Sequence, residues 1–305
     1  MSETITMAGQ FEEQPLFEPL SLDFDEKDMA ESMRLYLEFL ALPEEVKQRF
    51  QYFDEANPRT GKSGYMRGVH DDKFIYHHTP DFWKMQNDMP ADKKPAVARE
   101  FFSAADQMYF DVARGVKAKL GEWAEQENSP WIADANFPSD FQPSLKHHLR
   151  FLAYVDGRAR GHYDKSFATA AIAQSKNGLR IGVGEDDLEL VQRENFEPLI
   201  FRGYGWHQMH EMLGQHTDKV AAWHDVIDVD EQTDERLQIP KLKVVNAAKG
   251  IEEILDISRV AIVDFINPAK IYLDSTLEQT HTPIRWRRIG RAIMPNAVPH
   301  SFLAA

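Results

Sequence analysis

Cysteine is absent from this 305-residue chain. That excludes disulfides, thiolate zinc sites, iron–sulfur clusters and a cysteine nucleophile. Basic charge is in short supply: 35 Lys and Arg stand against 49 Asp and Glu, a formal net charge of −14. So acidic a balance argues against a nucleic-acid or anionic-membrane partner, and favours a self-repelling monomer or small homo-oligomer. Long apolar runs are missing too, and nothing approaches the roughly 18 residues of a membrane helix. The first residues, Met1 to Thr6, lack a basic region followed by an apolar core, so no secretory leader is expected and the default location is cytoplasmic. There is no internal repeat and no low-complexity tract.

What is present is enough apolar material, 43% of residues, for a substantial core. Its texture changes along the chain. Met29, Met33, Tyr36, Leu37 and Leu40 recur at helical spacing, and Pro43 with Glu44 and Glu45 suits the start of a second helix. Residues 54–90, rich in Pro, Gly, Asp and His, read as irregular. A long stripe follows, from Val97 through Phe101, Met108, Val112, Val116 and Leu120 to Trp123, and predicts a helix with a core face. Beyond Leu145 short apolar runs alternate with turn residues: 145–155, 167–174, 178–183, 187–192, 198–202, 219–227 and 259–266. With no helical pattern between the first five, this predicts an antiparallel sandwich or jelly roll. The acidic stretch at about 228–257 reads as an insertion with a short helix near 247–255.

One constellation carries chemistry. His162 and Asp164 lie one residue apart, and on an extended chain such residues point the same way. His224, in a distant strand, would complete a two-His-one-carboxylate set, which holds Fe(II) and leaves positions open for substrate atoms and O2. His207 and His210, spaced like a helical metal pair, and the nearby His216 are rivals for the third ligand. The pairs His77–His78 and His147–His148 read as structural or substrate-adjacent.

The order of motifs resembles the isopenicillin N synthase-like Fe(II)/2-oxoglutarate-dependent oxygenases. The resemblance runs through Arg150 with Tyr154, His162 with Asp164, Gln174, Gly178 with Leu179, and Pro198 to Gly203. It continues in Ala222 to Val226 and Arg259 to Pro268, with fainter echoes in Leu42 to Lys47 and Gly64 to Lys73. It implies a mainly β fold, a double-stranded β-helix of jelly-roll, cupin-like form. The helical region 1–143 would pack on a catalytic core, 144–305, as one unit. It implies His162, Asp164 and His224 as metal ligands, Arg259 as anchor for the distal carboxylate of 2-oxoglutarate, and Tyr154 as a further co-substrate contact. The cofactor would be Fe(II), with 2-oxoglutarate and O2 as co-substrates. The implied reaction is oxidation of a C–H bond of a small molecule, with release of succinate and CO2, in a biosynthetic setting. The alternatives are an Fe(II)/O2 oxidase that does without 2-oxoglutarate, and a non-catalytic jelly-roll binding module.

Departures from the pattern are specific. The residue two after the arginine is Ala261, not serine; Leu152 replaces an asparagine; and Gly203 is followed by Tyr204, not aspartate. The interval from His224 to Arg259, 259 − 224 = 35 residues, is longer than the family's and marks the 228–257 insertion. The insertion and the N-terminal region are expected to cover the substrate, as long loops at such positions commonly do.

Overall fold

The computed structural model describes residues 15–53, 62–67, 73–126, 145–155, 158–207, 221–229, 237, 241–246, 251–268, 270–271 and 284–285. Strand β1 (Phe17–Pro19) precedes helix α1 (Glu26–Leu40). Asp25 caps that helix by accepting from the Asp28 backbone N–H at 2.9 Å, and Glu26 and Asp28 favour its positive end. After the short helix α2 (Glu44–Lys47) come β2 (Gln51–Phe53), β3 (Lys62–Arg67) and β4 (Lys73–His78). Helix α3 (Pro80–Asp88) starts with Thr79 as N-cap and Pro80 in its first turn; α4 (Ala96–Gln126) is the long striped helix.

The β-rich half follows, with β5 (Leu145–Tyr154), β6 (Ala159–Tyr163), β7 (Ala168–Gln174), β8 (Leu179–Gly182), β9 (Glu189–Leu190) and β10 (Leu199–Arg202). It continues in β11 (Trp223–Val226), β12 (Lys241–Asn246), β13 (Ile251–Asp256), β14 (Arg259–Pro268), β15 (Lys270–Ile271) and β16 (Ile284–Arg285).

Two antiparallel sheets dominate. The larger has the order β1-β10-β7-β14-β5-β4-β3-β2 and the smaller the order β6-β11-β8-β9. This is the mainly β, jelly-roll architecture that the alternating runs predict. Period-two alternation divides the large sheet into two faces. Leu149, Phe151 and Ala153 of β5, with Val260, Ile262 and Ile266 of β14, join the core beneath α1 and α4, which supply Met33, Tyr36, Phe101, Met108 and Trp123. The other face meets the small sheet, where Ala171, Leu199 and Phe201 pack with Leu179, Ile181 and Ala222. In β7 the ladder shifts register, so that Ala173 pairs with Ile262 while Ala171 pairs with Val263. Ile172 is the extra residue. Ile172 and Ala173 therefore both join the helix-side core, and Gln174 returns to the inter-sheet side with Thr169 and Ala171.

Three expectations change. Residues 54–90 hold β3, β4 and α3 rather than irregular chain; 54–61 and 68–72 lie outside the described residues. In β4, Phe74, Tyr76 and His78 are buried while Lys73 and Ile75 are less so, an alternation masked by the Gly- and Pro-rich flanks. The helix expected near 247–255 is replaced, over its described part, by an antiparallel pair in which Asn246 faces Ile251 and Lys241 faces Asp256. Antiparallel pairing with the preceding strand overrides the helical preference of Glu252, Glu253 and Leu255. The N-terminal region also supplies strands as well as helices: β4 pairs with β5 and β1 with β10. Among the described residues no helix is long and apolar enough to cross a membrane.

Candidate metal centre and co-substrate chamber

β6 and β11 are antiparallel neighbours, with His162 directly opposite His224. Their rings lie 4.4 Å apart between centroids. Asp164, one residue past the end of β6, brings its Oδ1 to 3.4 Å from His162 Nε2 and its Oδ2 to 3.4 Å from His224 Nε2. One ligand atom from each of the three residues falls within 4.8 Å of the others. His207 is not in this group, and His210 and His216 lie outside the described residues.

The tautomers follow from the outer hydrogen bonds. His162 Nδ1–H donates to the Arg160 carbonyl at 2.7 Å, and His224 Nδ1–H to the Ala222 carbonyl at 3.3 Å. In the neutral rings each Nε2 lone pair is left facing Asp164, the arrangement a metal ligand needs, whereas a protonated His162 donates Nε2–H to the carboxylate instead. Thr169, on β7 of the opposite sheet, donates to Asp164 Oδ2 at 2.6 Å, and is itself bonded to Ser166 at 2.9 Å. Burial opposes the charge on Asp164, but nearby His224, the bond to His162 and the Thr169 hydroxyl outweigh it, holding the carboxyl below its usual range. Burial pushes His224 down. It acts the same way on His162, but there the hydrogen bond and charge of Asp164 overcome it and shift the ring up. Two imidazole nitrogens and one carboxylate, with the carboxylate oriented by a hydroxyl, suit a borderline ion such as Fe(II).

Arg259 opens β14 opposite Tyr154 of β5. It is 3% exposed. One terminal nitrogen donates to Gln174 Oε1 at 2.8 Å, while Nε and Nη1 are buried without a hydrogen-bond partner. Burial disfavours its charge, and the nearby Tyr154 hydroxyl and Asp228 offset this only in part. Gly178 lies beside it, with a φ of +139°; a Cβ there would clash with the Ile227 carbonyl at 2.3 Å but meet Arg259 Nη1 at an ordinary 3.7 Å. Arg193, half-buried, donates to the Ala171 and Glu197 carbonyls; desolvation and then repulsion from Arg259 push it down to about 9. An acidic protein thus keeps adjacent cations in its interior with donors to spare. Because His224 pairs with Ile181, the metal group and the Gly178 end of this chamber are roughly 10 Å apart along β8.

The histidine pairs divide by alternation. His78 bonds Asp106 at 2.7 Å, and His147 bonds the fully buried Asp264 at 2.6 Å. His77 and His148 take the inter-sheet side of β4 and β5, with Arg150. Thr169, Gln174, Arg193 and Arg150 are the residues for which no role was expected. A polar residue inside an otherwise apolar strand was the available signal for Thr169.

No family model matches the sequence, and no curated relative is similar to it. Solved structures do match. A full-length Neurospora crassa protein in complex with alpha-KG is 17% identical with a TM-score of 0.54, over 89% of this chain and 84% of that one. A putative 2OG-Fe(II) oxygenase family protein from Caulobacter crescentus gives 16% identity and a TM-score of 0.56, over 90% and 88% of the two chains. The chain has the fold of the 2OG-Fe(II) oxygenases. JOX2, in complex with 2OG, Fe and JA, gives 14% and 0.56, over 91% and 77%. At these identities the likeness is one of fold, and roles for individual side chains rest on the geometry above.

Proposed function

We propose that this protein is an Fe(II)- and 2-oxoglutarate-dependent oxygenase of the isopenicillin N synthase-like type, oxidising a C–H bond of a small molecule. The observation that carries this reading is the pairing of two sites across one chamber. His162, Asp164 and His224 converge at one end, and the orphaned guanidinium of Arg259 waits at the other. A ligand with metal-binding oxygens at one end and a carboxylate at the other satisfies both, and 2-oxoglutarate is such a ligand. When bound, Fe(II) with 2-oxoglutarate and O2 supplies oxidising power toward a C–H bond, and 2-oxoglutarate leaves as succinate and CO2.

The chain's own part is binding and placement. His162 and His224 present Nε2, and Asp164 offsets part of the metal's charge. Thr169 fixes the carboxylate rotamer. Arg259 donates Nε–H and Nη1–H to the distal carboxylate, while Gln174 holds the third nitrogen and so sets the plane of the fork. Tyr154 stands opposite Arg259 and lends its hydroxyl to the same carboxylate. Rigid strands carry these groups, which keeps the two ends at a fixed separation. Because β4 pairs with β5, residues 1–143 and 144–305 are assigned to one catalytic unit.

The test is an anaerobic Fe(II) titration with and without 2-oxoglutarate, followed by the visible metal-to-ligand charge-transfer band. A band that requires both supports the reading. Iron binding with no band points instead to an oxidase without 2-oxoglutarate. His224→Ala and Asp164→Ala should each weaken metal binding while the far-ultraviolet circular dichroism is unchanged; if His207→Ala weakens it and His224→Ala does not, the ligand set is wrong.

A further inference from the structure

One interior cation is not used by the site so far described. Arg150 lies on β5 between His148 and Leu152 on the inter-sheet side, opposite His77 on β4 and Val263 on β14. Its guanidinium carbon sits 4.2 Å from the centroid of the Phe265 ring. The residue is half-buried, and its Nε is buried without a hydrogen-bond partner. Its partner Val263 pairs in turn with Ala171, two residues from the Thr169 that bonds Asp164, which puts Arg150 at the metal end; burial disfavours its charge, and Asp164 is the largest opposing influence. A stacked guanidinium still has its in-plane N–H groups to give.

Such a group is costly to keep. A half-buried cation whose Nε has no partner destabilises the free protein, and a stacking contact recovers only part of that. The co-substrate does not relieve it. Its two carboxylates are taken by the metal end and by Arg259, and Asp164 is committed to the histidines. A further negative charge is needed, from a third molecule. Leu152 and Val263 beside Arg150 belong to an apolar cluster with Ala261 and Ile75, so that molecule meets hydrocarbon next to the cation. One cation calls for one charge, and the planar fork fits a carboxylate better than a phosphate dianion, which would need further donors.

We propose that Arg150, stacked on Phe265, binds the carboxylate of the primary substrate, which makes the substrate class small monocarboxylic acids with an apolar body. This rests on the oxygenase reading for the position of the reacting end. Arg150 is then a specificity-determining residue: it holds the acid group at a fixed distance from the metal, and so selects which carbon is oxidised.

The experiment is calorimetric titration of the Mn(II)- and 2-oxoglutarate-loaded protein with pairs of probes, octanoate and 4-phenylbutyrate against their primary amides. Wild type should bind at least one acid about tenfold or more tighter than its amide, equivalent to about 1.4 kcal/mol. Arg150→Gln should bring acid and amide level while binding 2-oxoglutarate as wild type does. Lys73→Gln, which removes another cation of the same sheet face, should keep the preference. Equal binding of acid and amide by wild type, no binding of either acid, or loss of the preference with Lys73→Gln alone would overturn the proposal. A second readout needs no ligand. Arg150→Leu should melt at or above the wild-type temperature, because it removes a half-buried charge whose Nε has no partner; a drop of several degrees would assign Arg150 a structural role and overturn the proposal. If wild type fails to bind 2-oxoglutarate but keeps an Arg150-dependent acid preference, the oxygenase reading falls and this one stands. If 2-oxoglutarate binds through Arg259 and no acid is preferred, only this one falls.

Discussion

Replacing Arg259 should separate ligand binding from stability. In the free protein the guanidinium is 3% exposed and engages a single described hydrogen bond, to Gln174, leaving Nε and Nη1 unsatisfied. Each such nitrogen costs about 1–3 kcal/mol of desolvation that nothing returns until an anion arrives. Arg259→Met, which fills similar volume without charge, is therefore expected to leave the melting temperature of the free protein unchanged or higher. With 2-oxoglutarate the balance reverses. Removing one partner of a buried charge pair costs about 3–5 kcal/mol, which at about 1.4 kcal/mol per decade is a loss of roughly two to three and a half decades in affinity. Arg259→Lys should recover part of this, since an ammonium keeps the charge but not the two parallel donors. The assay is calorimetric titration of 2-oxoglutarate into Mn(II)-loaded protein, beside thermal melts without ligand. Affinity within a factor of about three of wild type in Arg259→Met would refute the anchoring role, because so small a change is below about 1 kcal/mol.

Three further outcomes are expected. Thr169→Val removes the hydroxyl that orients Asp164 while keeping the shape, and should weaken Mn(II) binding by about 10–100-fold with little change in fold, as read by titration and circular dichroism. His148 is pushed down to about 4, first by burial and then by repulsion from Arg150. Its folded-state value lies below its unfolded one, so its contribution to stability is complete above about pH 6.5 and is lost as pH falls toward about 4. The loss is at most about 3 kcal/mol and is reduced by partial solvent access. His148→Gln should flatten the acid side of a urea-stability profile over that window, and an unchanged slope would contradict the assignment. The β12–β13 strands pair with each other and not with the two large sheets, and Ile254 is 62% exposed. If the insertion covers the substrate, amides of 241–246 and 251–256 should gain hydrogen-exchange protection on substrate binding; equal protection in the free protein would make it a fixed structural insertion.

The parts legible in the sequence are those governed by local period. The stripe from Val97 to Trp123 has a helical period because one face of α4 lies on the core, and His162 with Asp164 could be paired on sight because adjacent same-face positions on a strand are two apart. His224 was readable from its apolar strand context. What escaped depends on cross-strand contacts. The pairing of β12 with β13 joins neighbours in sequence, but Glu252 to Leu255 taken alone favour a helix. β4 hid between turn-forming flanks, although Lys73 to Tyr76 alternate. Arg150 looked like one more motif position because its meaning comes from Phe265, 265 − 150 = 115 residues away, and from an Nε without a hydrogen-bond partner. An unsatisfied group is a property of the folded interior and leaves no mark in a one-dimensional pattern.

The added residue in β7 has an outcome for anyone altering this protein. Flattening the bulge while keeping Ile172 would make the strand locally more regular. Yet every side chain beyond that point would turn over. Gln174 would swing beneath the helices, Arg259 would lose its brace, and Ala173 would point inward in its place. Deleting Ile172 instead would leave Ala173 and Gln174 on their present faces and pairs. The extra residue is thus a shift of phase absorbed within one strand, between Thr169 at one end and Gln174 at the other. A graft of these residues onto a straighter scaffold must therefore either carry the bulge or leave Ile172 out.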